Sequence, residues 1–227
     1  MAEPIAVFDL EGTLCRRGGV LIWREIIKSR IGRGSGIGKV ITHVLCQVLI
    51  AVLHRVGFIS TRKARLVGNK KIATLFKGLS EEGLNQLAEL VSEKLVERLR
   101  PDIHRILQVH KQRGHRLVLV SGTFQPILEA IGRRLGVHLI IGTKLEKKDG
   151  GYTGRLSSPI CFDEQKASML KEFMREIHLE VDFSRAYAYG DTMSDKPVLE
   201  IVGNPVAVYS DAKLRAHARE HGWKTIG

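Results

Sequence analysis

At 227 residues, 44% of them hydrophobic, the chain can bury one substantial core and leave room for a smaller accessory domain. Three cysteines, Cys15, Cys46 and Cys161, are odd in number and far apart, which fits neither a disulfide framework nor a zinc-site spacing. The formal net charge of +12 is unevenly placed: residues 15–79 hold 14 Lys/Arg against one acid, Glu25, whereas the remainder has 22 against 23. The positive charge therefore describes one surface rather than the whole protein. No basic leader or small-residue cleavage site precedes Ile5, so the expected compartment is the reducing cytoplasm, with a peripheral membrane contact left open.

In chain order, Ile5–Phe8 is a short apolar run and predicts a buried strand of a parallel sheet. Two carboxylates, Asp9 and Glu11, stand at its carboxyl end, followed by Gly12 and Thr13. Residues 15–100 lack alternation and read as helices, near Val20–Ile31, Gly38–Val56, after Ser60, and over Glu81–Leu99 with Ser80 as N-cap. Within them Val40–Ile59 is apolar at 14 of 20 positions. His43, Gln47 and His54 fall on one stripe of that helix, within about 40° of one another. The expected arrangement buries the apolar side in the core of the helical segment and leaves the polar stripe wet or facing a pocket. An interface or lipid-contact face is the alternative.

From Pro101 the pattern changes to alternating helix and strand. It predicts helix Asp102–Gln112, strand Arg116–Val120, helix Gln125–Leu135, strand Val137–Ile141 and a hairpin turn within 149–154. Helix Glu164–His178, strand Ala186–Tyr189, helix Pro197–Ile201, strand Pro205–Val208, helix Ala212–His221 and strand Trp223–Ile226 follow. This alternation predicts an α/β fold, a Rossmann-like parallel sheet with helices on both faces. Residues 1–14 and 101–227 would form the core, and 15–100 an all-α cap inserted directly after the two carboxylates.

Asp9-Leu-Glu11-Gly-Thr13, Ser121-Gly122-Thr123, Lys166 and Gly190-Asp191-Thr-Met-Ser-Asp195 appear in that order, three of them directly after apolar strands. A parallel sheet brings such strand ends to one edge, where the chemistry of open α/β sheets sits. Phosphoryl transfer needs a nucleophile, a cation for the phosphate oxygens, donors to hold them and a proton shuttle. Asp9 suits the nucleophile, Asp9 and Asp191 a Mg²⁺ site of oxygen ligands, and Ser121 with nearby N–H groups at a helix start the phosphate. Lys166 adds fixed positive charge, and Asp195 is placed to orient metal-bound water.

These four motifs together resemble the haloacid dehalogenase superfamily of phosphatases, and more closely its phosphoserine-phosphatase-like branch. In that branch a helical cap follows the first motif, and a segment like Gly151-Tyr152-Thr153-Gly154 precedes the motif lysine. The resemblance covers residues 1–14 and 101–227. It implies that Asp9 is the nucleophile, that Asp9, Asp191 and the backbone carbonyl of Glu11 hold Mg²⁺, and that Thr13, Ser121, Gly122 and Lys166 belong to the phosphate site. Glu11 stands where the family usually has Asp as acid/base. Its extra methylene shifts the carboxyl by on the order of 1 Å, enough to slow turnover. Family phosphoserine phosphatases place an acid shortly after the first motif to bind the substrate ammonium. Here the sequence has Arg16 and Arg17, a basic entrance.

The function expected is a Mg²⁺-dependent phosphomonoester hydrolase acting through an aspartyl-phosphate on a small or lysolipid-type phosphate rather than phosphoserine. Two rivals remain at this level: a weakly active or inactive protein of this fold that binds anionic membrane through its basic helices, and a phosphotransferase. Only Trp23, Phe58 and Phe76 interleave the basic residues of 15–79, which argues against stacking on nucleic acid.

Overall fold

The computed structural model describes residues 4–16, 19–32 and 37–227. Ile5–Phe8 forms strand β1, buried along its whole length. Helices α1 (Gly19–Gly32), α2 (Ile37–Arg55), α3 (Thr61–Ala73, continued by a 3-10 turn at Thr74–Phe76) and α4 (Glu81–Val96) follow. Ser60 and Ser80 cap α3 and α4, their hydroxyls accepting from the Lys63 and Gly83 N–H groups. Next come α5 (Pro101–Gln112), β2 (Arg116–Phe124), α6 (Gln125–Leu135), β3 (Leu139–Thr143), β4 (Leu145–Lys148), β5 (Gly151–Leu156) and α7 (Glu164–Glu176). The chain closes with β6 (Tyr187–Gly190), α8 (Lys196–Leu199), β7 (Asn204–Val208), α9 (Ala212–Glu220) and β8 (Lys224–Ile226).

Six of these strands form one parallel sheet in the order β3-β2-β1-β6-β7-β8. The chain leaves β1 in one direction to β2 and β3, and later returns to its other side with β6, β7 and β8. The β1/β6 boundary is thus the topological switch point, where a crevice opens beyond the strand ends. Successive side chains point to opposite faces. Ala6, Phe8, Leu117 and Leu119 pack with α4, α5 and α6, while Ile5, Val7, Val118 and Val120 pack with α7, α8 and α9.

Strands β4 and β5 form a separate antiparallel hairpin. Its Asp149-Gly150 turn has φ of 50° and 75°, both positive as a two-residue type I′ turn requires. The hairpin meets the helical segment through Tyr152 N–H to Leu79 O and Gly78 N–H to Tyr152 O. Helix α4 lies along α6, where Arg133 and Arg134 reach Glu89 at 2.6 and 3.3 Å. Leu84, Leu87, Val91 and Leu95 of α4 share one apolar cluster with α6.

Helix α2 corrects one expectation. Two members of its polar stripe face inward: the Trp23 indole N–H donates to His43 Nε2 at 3.1 Å, and Gln47 donates to the Gly68 carbonyl at 3.1 Å, while His54 stays exposed beside the Ile59 carbonyl. Its apolar side, from Ile41 to Val56, faces solvent. On the inward side His43 and Gln47 meet polar groups of α1 and α3, and leaving the Trp23 indole N–H unpaired in that seam would cost about 1–3 kcal/mol.

Candidate active site

Asp9 is the first residue after β1 and Asp191 the first after β6. Those strands are neighbours, with Phe8 opposite Tyr189, so the two carboxylates emerge side by side at the switch point. Asp195 joins them from the start of α8. All three are buried, and their carboxylate oxygens lie within 4.8 Å of one another. Lys166, in the first turn of α7, donates through Nζ to Asp9 Oδ1 at 2.6 Å and to Asp195 Oδ1 at 2.5 Å. The other oxygen of Asp195 accepts from the Asp191 and Thr192 N–H groups at 3.2 and 3.0 Å. Asp195 thereby braces both the lysine and the Asp191 backbone.

Two glycines make this crowding feasible. A Cβ on Gly12 would lie 2.1 Å from Asp191 Oδ2, and one on Gly190 would lie 2.4 Å from Asp195 Cβ. Gly12 also adopts φ +97°, which L side chains rarely accept. The 9–15 turn is closed by Cys15 N–H to Leu10 O and Gly12 N–H to Cys15 O, and Arg100 Nε donates to the Gly12 carbonyl.

Burial is the main force on the Asp9 carboxyl and pushes its pKa up; Lys166 opposes this, and the Asp195 and Asp191 charges add to it. Burial alone would lower Lys166, but the Asp195 and Asp9 carboxylates outweigh it and hold the ammonium firmly protonated. Three buried carboxylates share this one buried ammonium, a negative excess that a divalent cation would offset. An all-oxygen donor set at this spacing suits a hard ion such as Mg²⁺, with Asp9 and Asp191 as its holders.

Glu11 is half-buried at the edge of the same cleft. Thr123 Oγ1 donates to Glu11 Oε1 at 3.4 Å, and Ser121 Oγ donates to Thr123 Oγ1 at 3.3 Å. The sequence reading ends the strand at Val120 and leaves Ser121-Gly122-Thr123 between it and the helix at Gln125. Instead β2 runs on to Phe124, its register with β3 shifting between Val120 and Phe124, and α6 begins at Gln125. Ser121 and Gly122 therefore meet the cleft from an irregular strand end, not from a helix N-terminus.

Not every candidate from the sequence reaches the cleft. Thr13 is fully buried, its Oγ1 has no hydrogen-bond partner among the described residues, and it does not line the cavity. Arg16 is exposed and likewise absent from the lining, and Arg17 lies outside the described residues. Cys15 is no nucleophile: burial, with Glu11 and Asp9 nearby, pushes its thiol up to about 12.

The cleft has a volume of about 430 Å³. Its floor is the carboxylate–lysine cluster, and α1 and α3 supply the opposite wall through Ile22, Trp23, Ile26, Arg65, Asn69 and Ile72. The Arg65 guanidinium sits 4.8 Å over the Phe162 ring. Glu25, the one acid of residues 15–79, is buried away from the cleft against Lys94 at 2.8 Å. Sequence reasoning missed Thr123, Arg65, Asn69 and Phe162. Thr123 sat within a quoted motif; the others had no signal beyond the basic character of their segment.

A family model described as haloacid dehalogenase-like hydrolase matches residues 6–200. Phosphoserine phosphatase SerB1 of Mycobacterium tuberculosis is 32% identical over 158 residues, 69% of this chain and 51% of that protein. A histidinol-phosphatase of Neisseria meningitidis serogroup C is 30% identical over 68% of this chain and 71% of its own length. The chain spans about half the length of the mycobacterial relatives it matches. Among solved structures, a protein of unknown function from Bordetella pertussis superposes with a TM-score of 0.82 at 24% identity, covering 100% of this chain and 99% of that one. A phospho-aspartyl intermediate analogue of phosphoserine phosphatase superposes at 0.64 and 18% identity, covering 100% and 94%. The switch-point carboxylates, the bracing lysine and this coverage lead to one assignment: the chain belongs to the haloacid dehalogenase-like hydrolase family, on its phosphoserine-phosphatase-like branch.

Proposed function

We propose that this chain is a phosphomonoester hydrolase that passes the phosphoryl group through Asp9. The observation that carries the reading is the Asp9–Lys166–Asp195 cluster beside Asp191 at the switch point. Mg²⁺, held by Asp9, Asp191 and the backbone carbonyl of Glu11, would supply Lewis-acid neutralisation of the phosphoryl oxygens. Lys166 holds Asp9 Oδ1, so Oδ2 attacks phosphorus. Ser121 Oγ and the Gly122 N–H hold the phosphoryl oxygens through the transfer. As the bond to the leaving oxygen breaks, Glu11 gives that oxygen a proton, and an acyl phosphate remains on Asp9. Glu11 then takes a proton from water, whose oxygen attacks phosphorus and frees the Asp9 carboxylate. Helices α1 to α3, as part of a cap over residues 15–100, exclude bulk water and choose the leaving group.

Choice of leaving group rests on the wall of the cleft. Ile22, Trp23, Ile26 and Ile72 present apolar surface, Arg65 a cation and Asn69 an amide. Among the described residues that wall holds no carboxylate, and Glu25 is committed to Lys94. A substrate ammonium, as in phosphoserine, finds no partner there. The wall suits a small or lysolipid-type phosphomonoester with an apolar body and an acceptor or anionic group for Arg65.

The test is phosphate release from an aryl phosphate with Mg²⁺. Asp9→Asn abolishes it; retained turnover would remove the covalent mechanism. On a carboxylate-bearing phosphomonoester, Arg65→Ala raises KM about tenfold, the size of a lost charge-assisted hydrogen bond, and by much less on a neutral aryl ester. Equal effects on both would remove Arg65 from substrate selection.

A further inference from the structure

Helix α2 carries its apolar side outward. Ile41, Leu45, Val48, Leu49, Val52 and Val56 are each at least half exposed and recur every three or four residues, so they form one continuous stripe. Phe58, 80% exposed, extends it past the helix end. The helix has 19 residues, about 28 Å of length. A contiguous apolar surface of this kind on a water-exposed helix marks a contact with something apolar.

Charge distinguishes the candidates for that contact. No Asp or Glu occurs between Glu25 and Glu81, and Glu25 is itself buried against Lys94. Arg55, Lys63, Lys70 and Lys71 of α2 and α3 are exposed. A second copy of the chain would bring two such basic segments together against their mutual repulsion. An anionic bilayer surface attracts them, each basic residue adding to the binding. Among the described residues no helix is long and apolar enough to cross a membrane, so the stripe fits a helix lying in the plane of the surface.

We propose that α2 docks the protein on anionic membrane, its apolar stripe among the upper acyl chains and the basic residues of α2 and α3 on the lipid headgroups. The hydrogen bond from Trp23 to His43 ties the docked helix to a side chain that lines the cleft. Docking does not depend on the phosphatase reading.

The experiment is co-sedimentation with vesicles of phosphatidylcholine alone and of phosphatidylcholine mixed with phosphatidylglycerol, at low and high salt. The native chain and Asp9→Asn sediment with the anionic vesicles, and salt weakens both. The double variant Leu45→Glu, Leu49→Glu binds at least about tenfold more weakly, since two apolar anchors are lost and two like charges added. Both side chains are exposed, so the variant keeps its melting temperature and its turnover of an aryl phosphate, which separates loss of docking from loss of fold. Three results overturn the proposal: no sedimentation of the native chain with anionic vesicles, equal sedimentation with both lipid compositions, or undiminished binding by the double variant. A dimer that the double variant dissolves, with no vesicle binding, overturns it in favour of a second copy.

Discussion

Replacing Gly12 by alanine tests whether the approach of the two strand-end loops is what assembles the site. The new Cβ would stand 2.1 Å from Asp191 Oδ2 and 2.4 Å from its Cγ, far inside any contact real side chains make. Asp191 N–H is tied to Asp195 and the 9–15 turn is tied to Arg100, so neither side gives freely. Relief requires the Asp191 carboxylate or the Gly12 backbone to move by about 1 Å, and a displacement of that size near reacting groups costs roughly 10²-fold in rate. The positive φ adds about 1–2 kcal/mol of strain. For a chain of this length that lowers Tm by roughly 2–8 °C. The assay is Mg²⁺-dependent aryl phosphate hydrolysis across a Mg²⁺ titration: kcat falls about a hundredfold and half-maximal activity needs more Mg²⁺. Gly114→Ala is the control, because Gly114 has a similar φ of +74° but nothing within 4 Å of its added Cβ. It loses Tm and keeps turnover. If Gly12→Ala turns over like Gly114→Ala, the close packing of the loops is not what builds the site.

Two further outcomes follow from the same geometry. The sequence alone implies that the extra methylene of Glu11 slows turnover, but Thr123 Oγ1 donates to the Glu11 carboxyl at 3.4 Å. Glu11→Asp therefore withdraws it from that partner and lowers kcat by roughly 10–10²-fold; a rise in kcat would show that the site tolerates Glu rather than being built for it. His110 is packed between β1 and β6 side chains, its Nε2 2.7 Å from Tyr189 Oη and its Nδ1 2.8 Å from His115 Nδ1. Burial, helped by the neighbouring His115 and Arg113, lowers its pKa to about 4. The unfolded chain takes up this proton near pH 6.5 and the folded chain only near 4. Stability from this group is therefore full above pH 6.5 and is lost as pH falls toward 4. Urea midpoints of His110→Phe change less between these pH values than those of the native chain, even though the variant is weaker at neutral pH. An unchanged slope would remove His110 as the sensor.

Much of the site could be read along the chain because its parts obey local rules. Ile5–Phe8 ends at Asp9, and Tyr187–Gly190 ends at Asp191, so the apolar runs mark where each carboxylate leaves the sheet. Chain order and right-handed crossovers then restrict which strand ends can be neighbours. Thr13 and Ser121 show the limit of that reasoning. Thr13 lies in the same short motif as Asp9, yet the tight 9–15 turn buries its side chain. Ser121, read as lying between β2 and α6, belongs to β2, because pairing with β3 resumes beyond a shift in register at Phe124 and Thr143.

The order of apolar runs, punctuating glycines and acidic strand ends set the parallel fold and put Asp9, Lys166, Asp191 and Asp195 at one edge, since each follows from local periodicity and connection rules. The orientation of α2 and the composition of the cleft wall were set elsewhere. An amphipathic sequence has two faces but does not say which one meets its neighbours, and that choice fell to Trp23 and Gly68, 20 and 21 residues away from His43 and Gln47, respectively. Arg65 reaches the cleft for the same reason: α3 is placed by its packing on α2 and the 3-10 turn, contacts that no run of neighbouring residues encodes.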